Sequence, residues 1–564
     1  MKKKLPMLIA IVLILFLLAG LAFSVFYEKY SYSDERADLQ EYYGLTSEEE
    51  VAIVLGNELI EEKAICRDGV YYLDLDTIHT YFNERFYLDN SVESKALLIY
   101  TTTEASYRVL ENSNVISSEL GQEEAEYTLM LYEQDTCYVA VDYVLRFTDM
   151  TYEVFTEPNR MQIYNEWPGE TVGTIKKNTQ VRYRGGVKSE ILTDVAKGDK
   201  VTILEELDSW YKVKTADAYI GYVPKRFVKD MESYVIDRVS TVEEIYYPAN
   251  VEEKRINMGW HQVLNYAAND NVSSVISGTN INVIAPTWFL LSGNTGSYVC
   301  NASRNYVNYA HNQGIDVWAV IDNFNMECDL HEVLKNTAQR DALIANLVAD
   351  CKSYDIDGIN VDFEQVSPET ASHYIQFIRE LSVACHKNDL ILSVDNYVPT
   401  AYTAFYNREE QGRYVDYVVI MGYDEHTGNS DVAGSVASIG FVEQGIADTL
   451  ASVEASKVIN GIPFFTRGWA TTGGEVSAKT YTMSSQQQFI KDHGIEVAWD
   501  EEWGQYYGEN TIDGTSYEIW MEDAESLREK LAVMNKYGVA GVAQWKLGLE
   551  TSDVWAVIEE YMNE

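Results

Sequence analysis

The sequence predicts a multidomain chain that ends in a (β/α)8 barrel. Three observations carry that reading. At 564 residues the chain exceeds one ordinary core, so roughly two to four domains are expected. Between residue 235 and the end, eight apolar strand-like runs alternate with amphipathic helical stretches, the pattern of a closed parallel barrel. The fourth run, Asp357-Gly358-Ile359-Asn360-Val361-Asp362-Phe363-Glu364, alternates polar with apolar residues and ends in an acid. Successive strand residues point to opposite faces, so Asn360, Asp362 and Glu364 share one face. Ionised groups crowded there repel and lose solvation, which marks a candidate catalytic row.

The chain opens with Lys2, Lys3 and Lys4, then an uncharged apolar run from Leu5 to Phe26. That length fits a bilayer-spanning helix, which needs about 20 residues. A cleaved signal usually has a shorter apolar region, although Ala22-Phe23-Ser24 is a passable cleavage site. The lysines place the N-terminus in the cytoplasm and the rest outside. Residues 1–30 are therefore expected to be a cytoplasmic stub and single-pass transmembrane anchor in the cell membrane, with the catalytic part extracellular. No Cys in the run supports a lipoprotein anchor.

Residues 31–164 carry an internal repeat with a period of about 65 residues, too few copies for a solenoid. Tyr71-Tyr72-Leu73-Asp74-Leu75-Asp76 is echoed by Cys137-Tyr138-Val139-Ala140-Val141-Asp142, Phe86-Tyr87-Leu88 by Tyr152-Glu153-Val154, and Ile99-Tyr100 by Ile163-Tyr164. A duplicated small α+β domain is expected, and it resembles the copper amine oxidase N-terminal-like stalk of bacterial surface proteins. Residues 165–232 read as short strands with a tight turn at Lys197-Gly198-Asp199. With Trp210, Val213, Gly221, Tyr222 and Val223 they resemble a bacterial SH3-like domain, an all-β barrel. Residues 165–230 hold 12 Lys and Arg against 10 Asp and Glu, in a chain whose net charge is −45. A near-neutral module suits contact with an anionic cell wall. The overall charge excludes nucleic acid as a partner.

The eight strand candidates fall at 255–263, 281–291, 316–324, 357–366, 390–399, 415–426, 457–465 and 538–547. Active sites of such barrels sit at the C-terminal ends of the strands, where Glu364 lies. There the chain resembles glycoside hydrolase family 18, in its spore-cortex and peptidoglycan-lytic branch. The acid row resembles the family's D-G-x-D-x-D-x-E signature, Met421-Gly422-Tyr423-Asp424 its M-x-Y-D motif, and Gln544-Trp545 the strand that carries its tryptophan floor. The resemblance covers about residues 235–564, the family 18 glycosidase barrel. It implies a retaining, substrate-assisted hydrolase of glycans with β-linked N-acetylglucosamine. Glu364 would be general acid and base, and Asp362 would orient the acetamide N–H. Tyr423 would donate to the acetamide oxygen, Asp424 would position the sugar, and Trp545 would stack beneath it. Asp362 would also supply the charge that raises the Glu364 pKa.

Asn360 departs from the commonest family pattern, which has Asp there. Its amide is expected to donate to Asp362 and keep that carboxyl more readily ionised. Asn396 and Tyr397 are further candidates for the sugar groove, as are Arg467 and Trp469. The stretch at about 470–520 is an insertion that either closes or extends the site. His261 and His426 lie near strand ends, but no ligand spacing supports a metal, and no cofactor is expected. Six cysteines are compatible with an oxidising exterior, either paired or as buried thiols. The expected partner is an N-acetylated polysaccharide: peptidoglycan first, chitin-like oligosaccharides next. A non-catalytic, lectin-like barrel is the alternative.

Overall fold

The computed structural model describes residues 5–91, 95–235, 238, 240, 242–248 and 255–564. Lys2, Lys3 and Lys4, on which the predicted orientation rests, lie outside the described residues. The apolar run forms one helix, Leu5–Tyr30, whose described side chains are exposed. It is long and apolar enough to cross a bilayer. Two compact units divide the chain: Met1–Phe86, Val109–Val115 and Glu123–Glu243 in one, Tyr87–Arg108, Ile116–Gln122 and Glu244–Glu564 in the other.

In the first unit, a seven-stranded sheet is built around the two echoed segments. Strand Val70–Asp74 runs into helix Leu75–Tyr81, and strand Thr136–Ala140 runs into helix Val141–Leu145. The two strands pair antiparallel, Tyr72 opposite Ala140 and Asp74 opposite Tyr138, so the repeat halves meet as the fifth and sixth strands of the sheet. In each copy a hairpin follows the helix: Tyr152 faces Ile163 in the second, Tyr87 faces Ile99 in the first.

The SH3-like barrel follows as seven short antiparallel strands between Glu170 and Tyr234. Ile175, Val181, Val195, Val201, Val213, Val223 and Val228 fill it. Gly221 is required there, because a Cβ would stand 2.6 Å from Arg182 O. This barrel is fastened to the seven-stranded sheet. Buried Lys214 donates to Tyr164 Oη at 2.5 Å and Gly56 O at 2.6 Å. Tyr43, Val54, Leu192 and Tyr219 share one apolar cluster.

The second unit holds a closed barrel of eight parallel strands: β1 (Ile256–His261), β2 (Val283–Ser292), β3 (Asp316–Asp322), β4 (Gly358–Asp362), β5 (Ile391–Tyr397), β6 (Tyr417–Met421), β7 (Val458–Pro463) and β8 (Gly541–Trp545). β1 closes it, pairing Ile256 with Gly541 and Met258 with Val283. Strands buried on both faces read as continuous apolar runs, which is why all eight were visible in the sequence. Gly358 opens β4 because a Cβ would meet Ile391 O and Trp318 Cδ1, each at 2.8 Å. After β7 a five-stranded antiparallel sheet, spanning Phe465–Trp520, is inserted before the last helices and β8.

The hairpin of the first repeat belongs to this unit. Tyr87–Asp89 and Leu97–Thr101 lie on barrel helices Thr337–Tyr354 and Ala371–His386. Arg340, fully buried, meets Glu380 at 2.8 Å and donates to Tyr87 Oη at 3.1 Å. Asp89 Oδ2 accepts from Thr337 N at 2.6 Å, capping the first of these helices. Gln376 and Tyr414 both donate to Thr101. The unit thus includes a segment that precedes the SH3-like barrel in the sequence.

Candidate active site

Register decides which side chains meet. On β3 and β4, Asp322 lies opposite Asp362. Between β4 and β5, Asn360 pairs with Ser393 and Val361 with Val394, which brings Asp362 beside Asp395 and Glu364 beside Tyr397. Adjacent strands are about 4.8 Å apart. Three aspartates therefore stand abreast across β3, β4 and β5, at the C-terminal ends of β3 and β4 and one layer below Tyr397 at the end of β5.

Above them is a cavity of about 220 Å³, lined by Asp362, Asp395, Glu364, Tyr397, Tyr423, Asp424, Met421, Phe324, Trp260 and Trp545. The two tryptophans meet edge to face with centroids 5.9 Å apart. Phe324 and Glu364 also border a larger groove of about 730 Å³ over the β3 and β4 loops. A cavity this size, apolar on one wall with converging polar groups, is the form of a small-ligand site.

Glu364 is fixed at both ends. Its backbone exchanges two hydrogen bonds with the Asn323 amide, at 2.9 and 2.8 Å. Its Oε2 accepts from Tyr397 Oη at 2.6 Å. Gln365 (φ 53°) and Asp424 (φ 63°) adopt left-handed backbone that non-glycine residues seldom use, which re-aims the chain just past β4 and β6. Burial raises the Glu364 pKa, the Tyr397 hydroxyl opposes that rise, and the Asp424 charge adds to it. The expectation that Asp362 supplies the charge is corrected. The added charge is that of Asp424, and Asp362 is itself held well above the ordinary carboxylate range, by burial first and then by Asp395, Glu364 and Asp322.

Asn360 also differs from expectation. Its Nδ2 donates to Asp395 Oδ1 at 2.7 Å and to Ser393 Oγ at 2.9 Å, while its Oδ1 accepts from Trp260 Nε1 at 3.1 Å. No hydrogen bond reaches Asp362 from it, because Asn360 sits a layer lower, level with Ser393. Asp362 Oδ1 is buried with no hydrogen-bond partner. Asn396 is likewise corrected: it points out of the barrel and exchanges hydrogen bonds with Gln411 at 2.7 and 3.2 Å. Its neighbours Asp395 and Tyr397 face inward. Arg467 reaches the site's edge, donating to Asp424 Oδ1 at 2.7 Å and His426 O at 2.9 Å. Trp469 is fully buried in the insertion, donating to Gly434 O at 2.8 Å. His261 is occupied by Tyr306 at 2.8 Å and His426 by Ser435 O at 2.9 Å.

A sequence model of glycosyl hydrolases family 18 matches residues 261–550, just over half the chain. The chain belongs to that family. It is therefore a glycoside hydrolase, and a bacterial SH3 domain model matches residues 177–229 of the same chain. The glycosidase is 28% identical to the uncharacterized glycosylase YvbX of Bacillus subtilis (strain 168) over 296 residues, half of this chain and 85% of that one. It is 24% identical to the cortical fragment-lytic enzyme of Bacillus anthracis over 43% of this chain, and spans 58% of that enzyme's length. Among solved structures, a C-terminal domain from Desulfitobacterium hafniense DCB-2 superposes with a TM-score of 0.50 at 20% identity, over 55% of this chain and all of that one. That likeness is one of fold.

Proposed function

We propose that this family 18 enzyme hydrolyses a glycan of β-linked N-acetylglucosamine at the cell surface, with peptidoglycan as its substrate. The observation that carries the reading is the pairing at the cavity floor: a raised, hydroxyl-bonded Glu364 next to a buried Asp362 with an unfilled oxygen. An acid must hold its proton near neutral pH to give it to a leaving oxygen, and burial shifts Glu364 in that direction. Asp362 Oδ1 is free to accept the acetamide N–H of a bound sugar. The acetamide oxygen then attacks its own anomeric carbon as Glu364 protonates the glycosidic oxygen. Tyr423 donates to that acetamide oxygen, Asp424 positions the ring, and Trp545 stacks beneath it. Glu364 next takes a proton from water, so configuration is retained.

The cortical fragment-lytic relatives and the bacterial SH3 domain favour peptidoglycan over chitin. Chitinase A1 of Niallia circulans, 25% identical over 38% of this chain, keeps chito-oligosaccharides as the second substrate to assay. The helix Leu5–Tyr30 anchors the enzyme in the membrane, residues 31–164 act as a stalk, and the catalytic unit faces the wall.

The test is product analysis on purified peptidoglycan and on chito-oligosaccharides, wild type against Glu364→Gln. The expected result is cleavage of peptidoglycan by the wild type and a loss of roughly 100-fold or more in kcat for the variant. Binding without cleavage of either glycan by the wild type overturns the proposal in favour of a lectin-like barrel.

A further inference from the structure

The acid that family 18 most often carries at the position of Asn360 is absent from β4, yet a second buried carboxyl stands in the same site from another strand. We propose that Asp395 on β5 is the proton partner of Asp362: the two carboxyls hold one proton between them, and Asp395 keeps it when Asp362 turns its carboxylate to the substrate. This rests on the role given to Asp362 above and makes Asp395 a positioning residue.

The geometry is the main support. The register of β4 and β5 carries Asp362 and Asp395 to adjacent places on the inner face, and both line the cavity. Both are nearly inaccessible, at 6% and 2% exposure. Two bare carboxylates this close in a buried site repel strongly, so a shared proton is the low-energy state. Asn360 biases which carboxyl carries charge. Its amide donates to Asp395 Oδ1, which accepts as a carboxylate in the resting enzyme. Asp362 Oδ1 has no hydrogen-bond partner, and an N–H arriving with the sugar would fill it. The proton then moves from Asp362 to Asp395, and none leaves the protein.

The groups facing this pair are Asp322 from β3, Glu364 from β4, Tyr397 from β5 and Tyr423 from β6. Tyr374 and Tyr406 lie behind, with Arg408 beyond them. Asp395 is pushed up to about 8, by burial first, with the Asn360 hydrogen bond opposing and the Glu364 charge adding. Asp322 stands lower, at about 6, by burial.

The experiment compares the pH dependence of kcat for the full chain with that of Asp395→Asn and of the relocated pair Asn360→Asp/Asp395→Asn. Asp395→Asn should lose roughly tenfold or more in kcat with KM within about threefold, and its pH profile should shift. Returning the acid to β4 in the double variant should recover most of the loss. A single variant with the wild-type profile and rate overturns the proposal, as does a loss that the double variant leaves unchanged at equal thermal stability. Infrared titration of the Glu364→Gln protein gives a reading that needs no change at Asp395. At pH 8, where Asp322 and Glu522 (raised to about 7) are largely ionised, one protonated carboxyl should remain. Its absence overturns the proposal. If Glu364→Gln itself retains full activity, the functional reading fails, and that result is separate from the fate of the shared proton.

Discussion

In the proposed mechanism, Tyr397 sets the working range of Glu364. Its hydroxyl hydrogen bond stabilises the ionised carboxylate and so works against burial. Tyr397→Phe removes that opposition and leaves Glu364 with a higher pKa. The acid form then persists to higher pH, and the alkaline limb of kcat/KM should move upward while the acid limb stays. An unmoved alkaline limb would show that another group sets it. Asp395 gives a prediction of opposite kind, in stability. The proton it shares with Asp362 is held in the fold up to about 8, whereas the unfolded chain has lost it above the ordinary 3.8. Stability therefore falls as pH rises through that window. Asp395→Asn should melt above the wild type at pH 8 and near it at pH 4. A lower melting temperature at pH 8 would contradict burial as the dominant cause. Stability gained and activity lost at one position is the usual mark of a functional residue.

At the scale of elements, β4 and β5 explain what a reader of the sequence finds and what escapes. The acid row of β4 is legible because alternation and an end carboxylate are visible within eight residues. Alternation is equally present in β5, where Ser393, Asp395 and Tyr397 share one face. Pairing Asn396 with Tyr397 as groove residues ignores it, since neighbours on a strand point opposite ways. Asp322 and Asp395 become site residues only through register, which no single strand's pattern fixes. The partners of Asn360 are hidden for the same reason. Gly358 is the point where this register is most tightly held, with Ile391 O and Trp318 crowding its missing Cβ. Gly358→Ala should destabilise the barrel by about 1–3 kcal/mol and reduce activity without touching the cavity. A melting temperature and kcat equal to wild type would show that β4 yields at no cost.

The whole molecule is less modular than its sequence order implies. The run of eight strands, the SH3-like stretch and the apolar helix were each legible, because each is a local pattern. The hairpin at 87–101 was not, because its partners lie on helices that begin more than two hundred residues later. Tyr87 covers the buried Arg340–Glu380 pair, and Asp89 caps the helix that carries Arg340. Glu380→Ala leaves that guanidinium uncompensated and should cost about 3–5 kcal/mol. A barrel fragment of residues 244–564 lacks the hairpin and should unfold at a lower temperature than the same barrel in the full chain. Equal unfolding temperatures would show the hairpin to be passive.

That hairpin also imposes an order in time. Leu98, Ile99 and Tyr100 are almost wholly buried in the finished unit, yet their cover is synthesised about 240 residues later. At roughly 5–20 residues per second, the ribosome leaves this apolar strand waiting for roughly 12–50 seconds. Throughout that interval the strand is paired only with its neighbours at 87–89 and 106–110, and its apolar face is uncovered, the kind of surface that invites association with another chain. Folding of this unit thus calls for something that shields residues 97–101 until the helix that carries Gln376 arrives to receive them.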